Sequence, residues 1–333
     1  MGFILFMGSL ILNIALQGPA SFFSPAGINT LISSNIPFML VVMAQGILLM
    51  SGTMDISIGI QLALVNVVTI MTVQEWGIPF ALGGVIGIVA AMVASAMLWV
   101  LVSIFRLPDL LAGFALTYAI RGINVMIMSM PQGSVARELF RAYNSLIFGI
   151  IPASIIAFVL VLLIWQYFKG TRFGTHIYAV GANPQNAYAA GISPVKVQFQ
   201  AFMLKGLITG ISGICLTLMT ASGDPLGSEA WGLRTLAACI IGGLTFGGWG
   251  SVACAVFGGG FLVLIQNSVY YLFTLLSRLM PDLWVTSYWH NFIADIIIFF
   301  GLLTTIITIK GQREALRINL ENKYMKRGEA SAE

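Results

Sequence analysis

The sequence predicts an all-α, polytopic membrane protein, and three observations carry that prediction. Hydrophobic residues make up 58% of the 333 residues and charged residues only 8%, against roughly 25% charged in an ordinary soluble domain. The apolar residues fall in long continuous runs that match the ~20 residues needed to cross a bilayer, not in the alternation a transmembrane β-barrel requires. Ten of the 28 charges lie in residues 310–333, which leaves the first 309 residues nearly bare of charge. A soluble enzyme, a nucleic-acid binder and a disordered scaffold are thereby excluded. The net charge of +4 reflects orientation in the membrane and not affinity for nucleic acid.

Ten apolar runs are candidates for spans: 3–16, 36–54, 56–73, 78–105, 108–130, 146–168, 198–222, 234–248, 250–277 and 291–309. The first is short and the eighth is short and Gly-rich. Run 3–16 has no basic flank and no small-residue cleavage site, so it is expected to be a retained helix and not a signal peptide. The expected organisation is a transmembrane domain over 1–309, with a long loop over 169–197, followed by a charged tail over 310–333. The tail mixes both charge signs and is expected to be a short helix fading into disorder. Many of the 36 glycines lie inside the runs. There they allow helix backbones to approach closely, or permit the broken helices that transporters use.

Lys and Arg set the orientation. With about ten spans and both termini cytoplasmic, the inner side holds Arg106, Lys169, Arg172, Lys196 and six cations of the tail. The outer side holds only Arg137, Arg141 and Arg278. The reverse orientation would place the larger group outside. Arg121, Lys205 and Arg234 lie within or beside spans.

Two polar breaks interrupt the apolar runs. Ser51-Gly52-Thr53-Met54-Asp55-Ile56-Ser57-Ile58-Gly59 places a carboxylate between glycines and hydroxyls, which is costly at membrane depth unless paired or wet. Asp55 either caps the following helix or lines a transport path. Ala221-Ser222-Gly223-Asp224-Pro225-Leu226-Gly227 repeats the theme in the second half. Matched breaks of this kind point to an inverted repeat around a central site, one break facing inward and the other outward.

In the long loop, Asn183 is a good N-cap, Pro184 suits the first helical turn and Gly191 suits the C-terminal cap. A helix of about two turns is expected there, too short to be stable alone and therefore docked. Ile240-Ile241-Gly242-Gly243-Leu244-Thr245-Phe246-Gly247-Gly248-Trp249-Gly250-Ser251 has the glycines of a phosphate loop but no Lys before a Ser or Thr. It is not a Walker A sequence. Any ATP-driven process must draw on another subunit.

Polar residues inside the runs are read two ways. Gln45, Asn66, Asn124, Gln266, Asn267 and Tyr270 either line a path for a hydroxylated solute or bond between helices. Arg121 should face a cavity or a partner, as an anchor between helices or as a solute contact. Lys205, two turns into its run, is expected to snorkel to the inner interface. Asp295 is expected in a helix-end or ion-pair role, with proton coupling the alternative. His176 and His290 are expected to be solvated or capping. Arg137 and Arg141, with Glu138 between them, share one helical face and either pair with a protein partner or are simply solvated. Cys215, Cys239 and Cys254 sit in apolar runs without metal spacing and are expected to be buried, inert thiols. No metal site is expected.

The segments Ser51–Gly59, Gly170–Ile192 and Ile241–Ser251, with Arg121-Gly122, resemble the permease subunits of bacterial ABC importers for ribose, xylose, galactose and related sugars, a family that includes autoinducer-2 permeases. The resemblance covers about residues 30–305. Thr53, Met54 and Ala190 depart from the pattern, as does the turn after Met130. The resemblance implies a multi-pass protein of the bacterial inner membrane. Its expected partners are ABC ATPase subunits, a second permease (identical or paralogous), a periplasmic substrate-binding protein and the lipid bilayer, with no nucleic acid. No cofactor is bound directly, and ATP and Mg belong to the ATPase. Asn183, Pro184, Gln185, Asn186, Ala187, Tyr188, Ala189, Ala190 and Gly191 would form the coupling helix. The implied substrate path takes in Gln45, Asp55, Asn66, Arg121, Asn124, Asn267 and Tyr270, and the binding protein would dock at Arg137 and Arg141.

The competing reading is an ion-gradient-driven secondary transporter, whose charged relay would draw on Asp55, Asp295 and Arg121. An intramembrane enzyme is not expected, since no Gly-x-Ser-x-Gly, Asp dyad or His-Glu-x-x-His is present.

Overall fold

The computed structural model describes residues 2–245 and 250–279, together with 289, 292, 293, 295, 296, 299 and 300. Among these the chain is helical: α1 (Gly2–Gln17), α2 (Pro19–Phe22), α3 (Pro25–Met50), α4 (Ile58–Trp76), α5 (Phe80–Trp99, continued by a π-helical turn Val100–Ile104), α6 (Asp109–Ile127), α7 (Arg137–Tyr143), α8 (Ile155–Lys169), α9 (Arg172–Ala182), α10 (Pro184–Ala189), α11 (Pro194–Thr220), α12 (Trp231–Gly242) and α13 (Val252–Leu279). A single small hairpin pairs Leu146–Ile147 with Ile151–Pro152.

Among the described residues six helices are long and apolar enough to cross a membrane, or seven if the pair α8–α9, bent by 80°, is one span. The protein is thus a multi-pass membrane protein. Several expected boundaries need correction. The run 36–54 begins at Pro25, because Ser24 accepts a hydrogen bond from the Gly27 N–H at 3.0 Å and caps the helix, and Pro37 is accommodated inside it. The run 146–168 starts as the hairpin and becomes helical only at Ile155. Runs 3–16 and 234–248 are the short helices α1 and α12. Most of 291–309, the tail 310–333, His290, the Arg278 side chain and the middle of the Gly-rich turn lie outside the described residues.

Packing explains which helices are buried all round. α3 and α11 lie against each other at the centre. α3 packs on α12 and α13, whereas α11 packs on α4 and α5; the pairs α4–α5 and α12–α13 are themselves in contact. Each central helix thus embraces the following pair of the other half. α3 is buried at every residue from Leu40 to Met50, including the polar Gln45. Helices apolar on every side belong in such interiors. In contrast, α5 exposes Leu82, Val85, Val89, Val93 and Met97 on one stripe, and α8 exposes Ile156, Val159, Leu160 and Leu163. Such faces suit lipid tails.

Candidate functional site: two helix breaks and a capped short helix

The first break follows α3. Ser51 Oγ donates to the Leu48 carbonyl at 2.6 Å, and Gly52 takes a left-handed backbone (φ 83°) that lets the chain reverse. Only glycine adopts this conformation without strain. The Met54 N–H donates to Asp109 Oδ2 at 2.9 Å, at the first residue of α6. Asp55 then organises the start of α4. Its Oδ1 accepts the Ser57 N–H at 2.7 Å and the Ser57 hydroxyl at 2.6 Å, and its Oδ2 accepts the Gln61 amide at 3.0 Å. Asp55 thus closes the turn before α4 on Ser57 and does not cap the N–H groups of the helix itself.

The same carboxylate forms an ion pair with Lys205 of α11. Lys205 also donates to Gln61 Oε1 and to Ser95 Oγ, at 2.5 and 3.2 Å. With its amide turned to satisfy both groups, Gln45 donates to the Asp55 carbonyl at 3.1 Å and accepts the Asp55 N–H at 3.2 Å. Gln45, Asp55, Ser57, Gln61, Ser95 and Lys205 are all fully buried. The expectation that Lys205 snorkels to the interface is corrected. Its helix carries it into the packed centre, where a carboxylate and two further oxygens replace the water it would otherwise seek.

The second break follows α11. Asn66, in the middle of α4, bridges it: Nδ2 donates to Thr217 Oγ1 at 2.9 Å and to the Ser222 carbonyl at 3.0 Å, while Oδ1 accepts the Asp224 N–H at 2.7 Å. Asn124 of α6 donates to the carbonyls of Ile60 and Pro225, at 3.3 and 3.1 Å. Asp224 closes its own turn by accepting the Leu226 N–H at 3.0 Å. The two breaks meet where Ser228 Oγ donates to the Gly59 carbonyl at 2.8 Å. A Cβ on Gly59 would lie 2.8 Å from the Glu229 carbonyl oxygen and 2.8 Å from the Gly232 nitrogen, so the first turns of α4 and α12 touch backbone to backbone. The first break is thus largely buried, with its carboxylate paired, whereas the second is half-buried and Gly227 is exposed.

Arg121 reaches this crossing by its ion pair with Glu229 at 3.3 Å, and its side chain is 44% exposed. Arg121 was expected to face a cavity or a partner, and the partner is Glu229. Asp295 pairs with Arg234 at 3.1 Å, as one of its expected roles required. Asn267 Oδ1 accepts the Gln17 amide at 2.6 Å, and Asn13 Nδ2 donates to Leu264 and Ser268, so α1 is bonded to α13. Tyr270 is exposed, with its ring set edge-on to Tyr271. Of the seven path residues, Gln45, Asp55, Asn66 and Asn124 converge on the two breaks. Arg121 stands at their edge, and Asn267 and Tyr270 lie apart on α13.

The loop over 169–197 is two helices, not one. Asn183 separates them, with its Oδ1 accepting the N–H groups of Gln185 and Asn186 at 2.9 and 3.0 Å. Pro184 opens α10, and Gly191 ends the turn at φ 83°. Only Ala187 is buried; the rest of 183–191, including Tyr188 at 73%, is exposed. α10 packs on α9 and α11, and α9 reaches α3. A Cβ on Gly52 would lie 3.4 Å from Gly181 Cα of α9, so the first break rests on this loop. Arg137 and Arg141 are exposed on α7, whose end is fixed by the Tyr143 hydroxyl donating to the Ser33 carbonyl at 2.9 Å. Burial pushes the Tyr143 hydroxyl pKa upward. Cys215 and Cys239 are buried free thiols and Cys254 is half-buried. Among the described residues no cluster of three metal-ligating side chains occurs.

Several curated proteins are similar to this chain. The L-arabinose ABC transporter permease protein AraH of Azospirillum brasilense is 26% identical over 271 residues, covering 80% of this chain and 78% of its own length. The galactose/methyl galactoside import permease protein MglC of Haemophilus influenzae is 26% identical, with coverage of 82% and 84%. The autoinducer 2 import system permease protein LsrC of Photorhabdus laumondii is 24% identical, with coverage of 91% and 87%. No solved structure matches. Residues 27–302 match the family described as branched-chain amino acid transport system / permease component. That match spans most of the chain, so the protein belongs to this family of transport-system permease components.

Proposed function

We propose that the protein is the membrane permease of an ATP-driven importer, carrying a small sugar or sugar-like solute across the bacterial inner membrane, with ATP and Mg held by a separate ATPase subunit. The observation that carries this reading is α10: a two-turn helix, capped at both ends, exposed on most of its surface and braced by the helices on either side. A helix this short has no stability of its own. Its capping and bracing suit a rigid knob presented to another protein. The relatives are ABC permeases, several named for sugars, and they give no support to an ion-gradient mechanism. Asp55, which a proton relay would need, is already committed to Lys205.

The finer features follow from the same reading. Ten spans with both termini cytoplasmic place α10 on the ATPase side. The crosswise packing of α3 and α11 supports an inverted repeat. A second permease, identical or paralogous, completes the channel, and a periplasmic binding protein docks near Arg137 and Arg141. In the substrate path, Arg121 and Tyr270 offer accessible polar groups, whereas Gln45, Asp55, Asn66 and Asn124 shape the wall by holding the breaks in place. The protein itself performs no chemistry.

Uptake by vesicles containing the purified complex tests this. Labelled pentoses and hexoses should enter on addition of ATP with no ion gradient, and not without the ATPase subunit. Uptake that persists without the ATPase and collapses with the ion gradient would overturn the reading.

A further inference from the structure

We infer that the Asp55–Lys205 pair is a positioning lock that ties the start of α4 to the helix emerging from α10, so that displacement of α10 reaches the crossing of the two breaks. The inference rests on the reading of α10 as the ATPase contact. Both arms of the α10 loop converge on the same seven residues, 51–57. The arm before α10 touches them through Gly181 against Gly52. The arm after α10 grips them through Lys205, which lies on α11. Asp55 in turn holds Ser57, the residue before α4, and bonds Gln61 in it, and the first turn of α4 carries Gly59, which touches Ser228 and Glu229 just after the second break.

The lock is stiff. Its six polar side chains are fully buried and bonded to one another or to the Asp55 backbone. Such a network has discrete arrangements and does not deform gradually. It also stands at one of two comparable junctions between a central helix and a helix pair. Lys205 stands fifteen residues before the last residue of α11, and Asn35 stands fifteen before the last residue of α3. Gln61 is the fourth residue of α4, and Arg234 is the fourth residue of α12. The matching junction of Asn35, Arg234 and Gln266 encloses a small cavity instead of an internal ion pair, and Arg234 turns to Asp295. The charged lock belongs to the junction made by the central helix that leaves α10.

A pair that serves packing alone is replaceable by neutral side chains of similar size, and this separates the two roles. The complex of permease, ATPase and binding protein is placed in vesicles, and solute uptake and ATP hydrolysis are measured together. In the double variant Lys205→Met/Asp55→Asn, co-purified with its ATPase, the solute moved per ATP should fall about tenfold. A ratio within about twofold of wild type would overturn the lock. Should the variant fail to assemble, hydrogen exchange on the wild-type complex decides. Residues 51–57 should change protection together with 184–189 between the nucleotide-free and vanadate-trapped states. A change at 184–189 with none at 51–57 would overturn it. Wild-type vesicles without ATP-dependent uptake would count against the permease reading, not against the lock.

Discussion

Asn183→Ala is the sharpest local test of how α10 works. The Asn183 side chain accepts two N–H groups, from Gln185 and Asn186, at 2.9 and 3.0 Å. Alanine leaves both donors to water. Losing a cap of this kind costs about 1 kcal/mol. In a long helix that loss is absorbed, but α10 has six residues, well under the ~12–15 that make even an Ala-rich helix marginal in water. Only Ala187 and the contacts with α9 and α11 hold the remainder. The loss therefore falls on the docked conformation of α10. About 1 kcal/mol corresponds to roughly a fivefold shift in that equilibrium. The Kd for the ATPase subunit, measured by surface binding to the permease in nanodiscs, should rise by about the same factor. Asn183→Ser keeps an oxygen in the capping position and should restore most of the affinity. The global Tm should change little, because α10 adds one buried side chain to the core. An unchanged Kd for Asn183→Ala, alongside a lowered Tm, would refute the reasoning, since it would make α10 a structural strut and not a contact.

Three further outcomes are expected. Gly59→Ala forces a methyl to within 2.8 Å of the Glu229 carbonyl and the Gly232 nitrogen, where backbone on both sides leaves little room to yield. It should destabilise by about 1–3 kcal/mol, visible as a lower Tm in detergent, whereas Gly122→Ala, with open space around it, should not. Lys205→Met alone strands the Asp55 carboxylate and should cost about 3–5 kcal/mol, more than the double neutral variant; equal losses in the two would show that the charges are not coupled. Tyr143→Phe removes the hydrogen bond to the Ser33 carbonyl and should lower stability by about 1 kcal/mol without altering uptake per ATP, which a role for α7 in the transport cycle itself would contradict.

Much of the architecture was legible because the bilayer demands long apolar runs. The runs that became α4, α5, α6, α11 and α13 needed shifts of only a few residues. The run from Ile36 started too late because Asn29, Thr30, Ser33, Ser34 and Asn35 break the apolar pattern ahead of it, and a proline within a packed helix is tolerated where neighbours satisfy the freed carbonyl. Pro37 deprives the Ser33 carbonyl of its donor, and the Tyr143 hydroxyl donates to that carbonyl at 2.9 Å, from a residue far away in sequence. α10 was legible almost to the residue. Its signals are local, a cap, a proline and a glycine within nine positions, and local chemistry suffices to define a helix boundary.

The lock was not legible, and the reason is its range. Asp55 and Lys205 each carried a visible signal, a charge where charge is costly. Each was given a local remedy, a cap for one and snorkelling for the other, because local remedies are all that spacing can suggest. A cation in the middle of a 27-residue apolar helix is a stronger signal than that reading allowed. Lys205 is the twelfth residue of α11, and its side chain cannot cover the roughly 16 Å to one end or the roughly 22 Å to the other at ~1.5 Å of rise per residue. A buried anion was therefore required, and candidates were few. Among the carboxylates near apolar runs, Asp224 closes its own turn, Asp109 accepts the Met54 N–H, Glu229 takes Arg121 and Asp295 takes Arg234. Glu75 and Glu138 are exposed, so among the described residues Asp55 is the buried carboxylate, and it is where the fold delivers Lys205. Elimination by charge balance reaches long-range pairs that periodicity cannot, and it works here because a membrane interior leaves so few charges to pair.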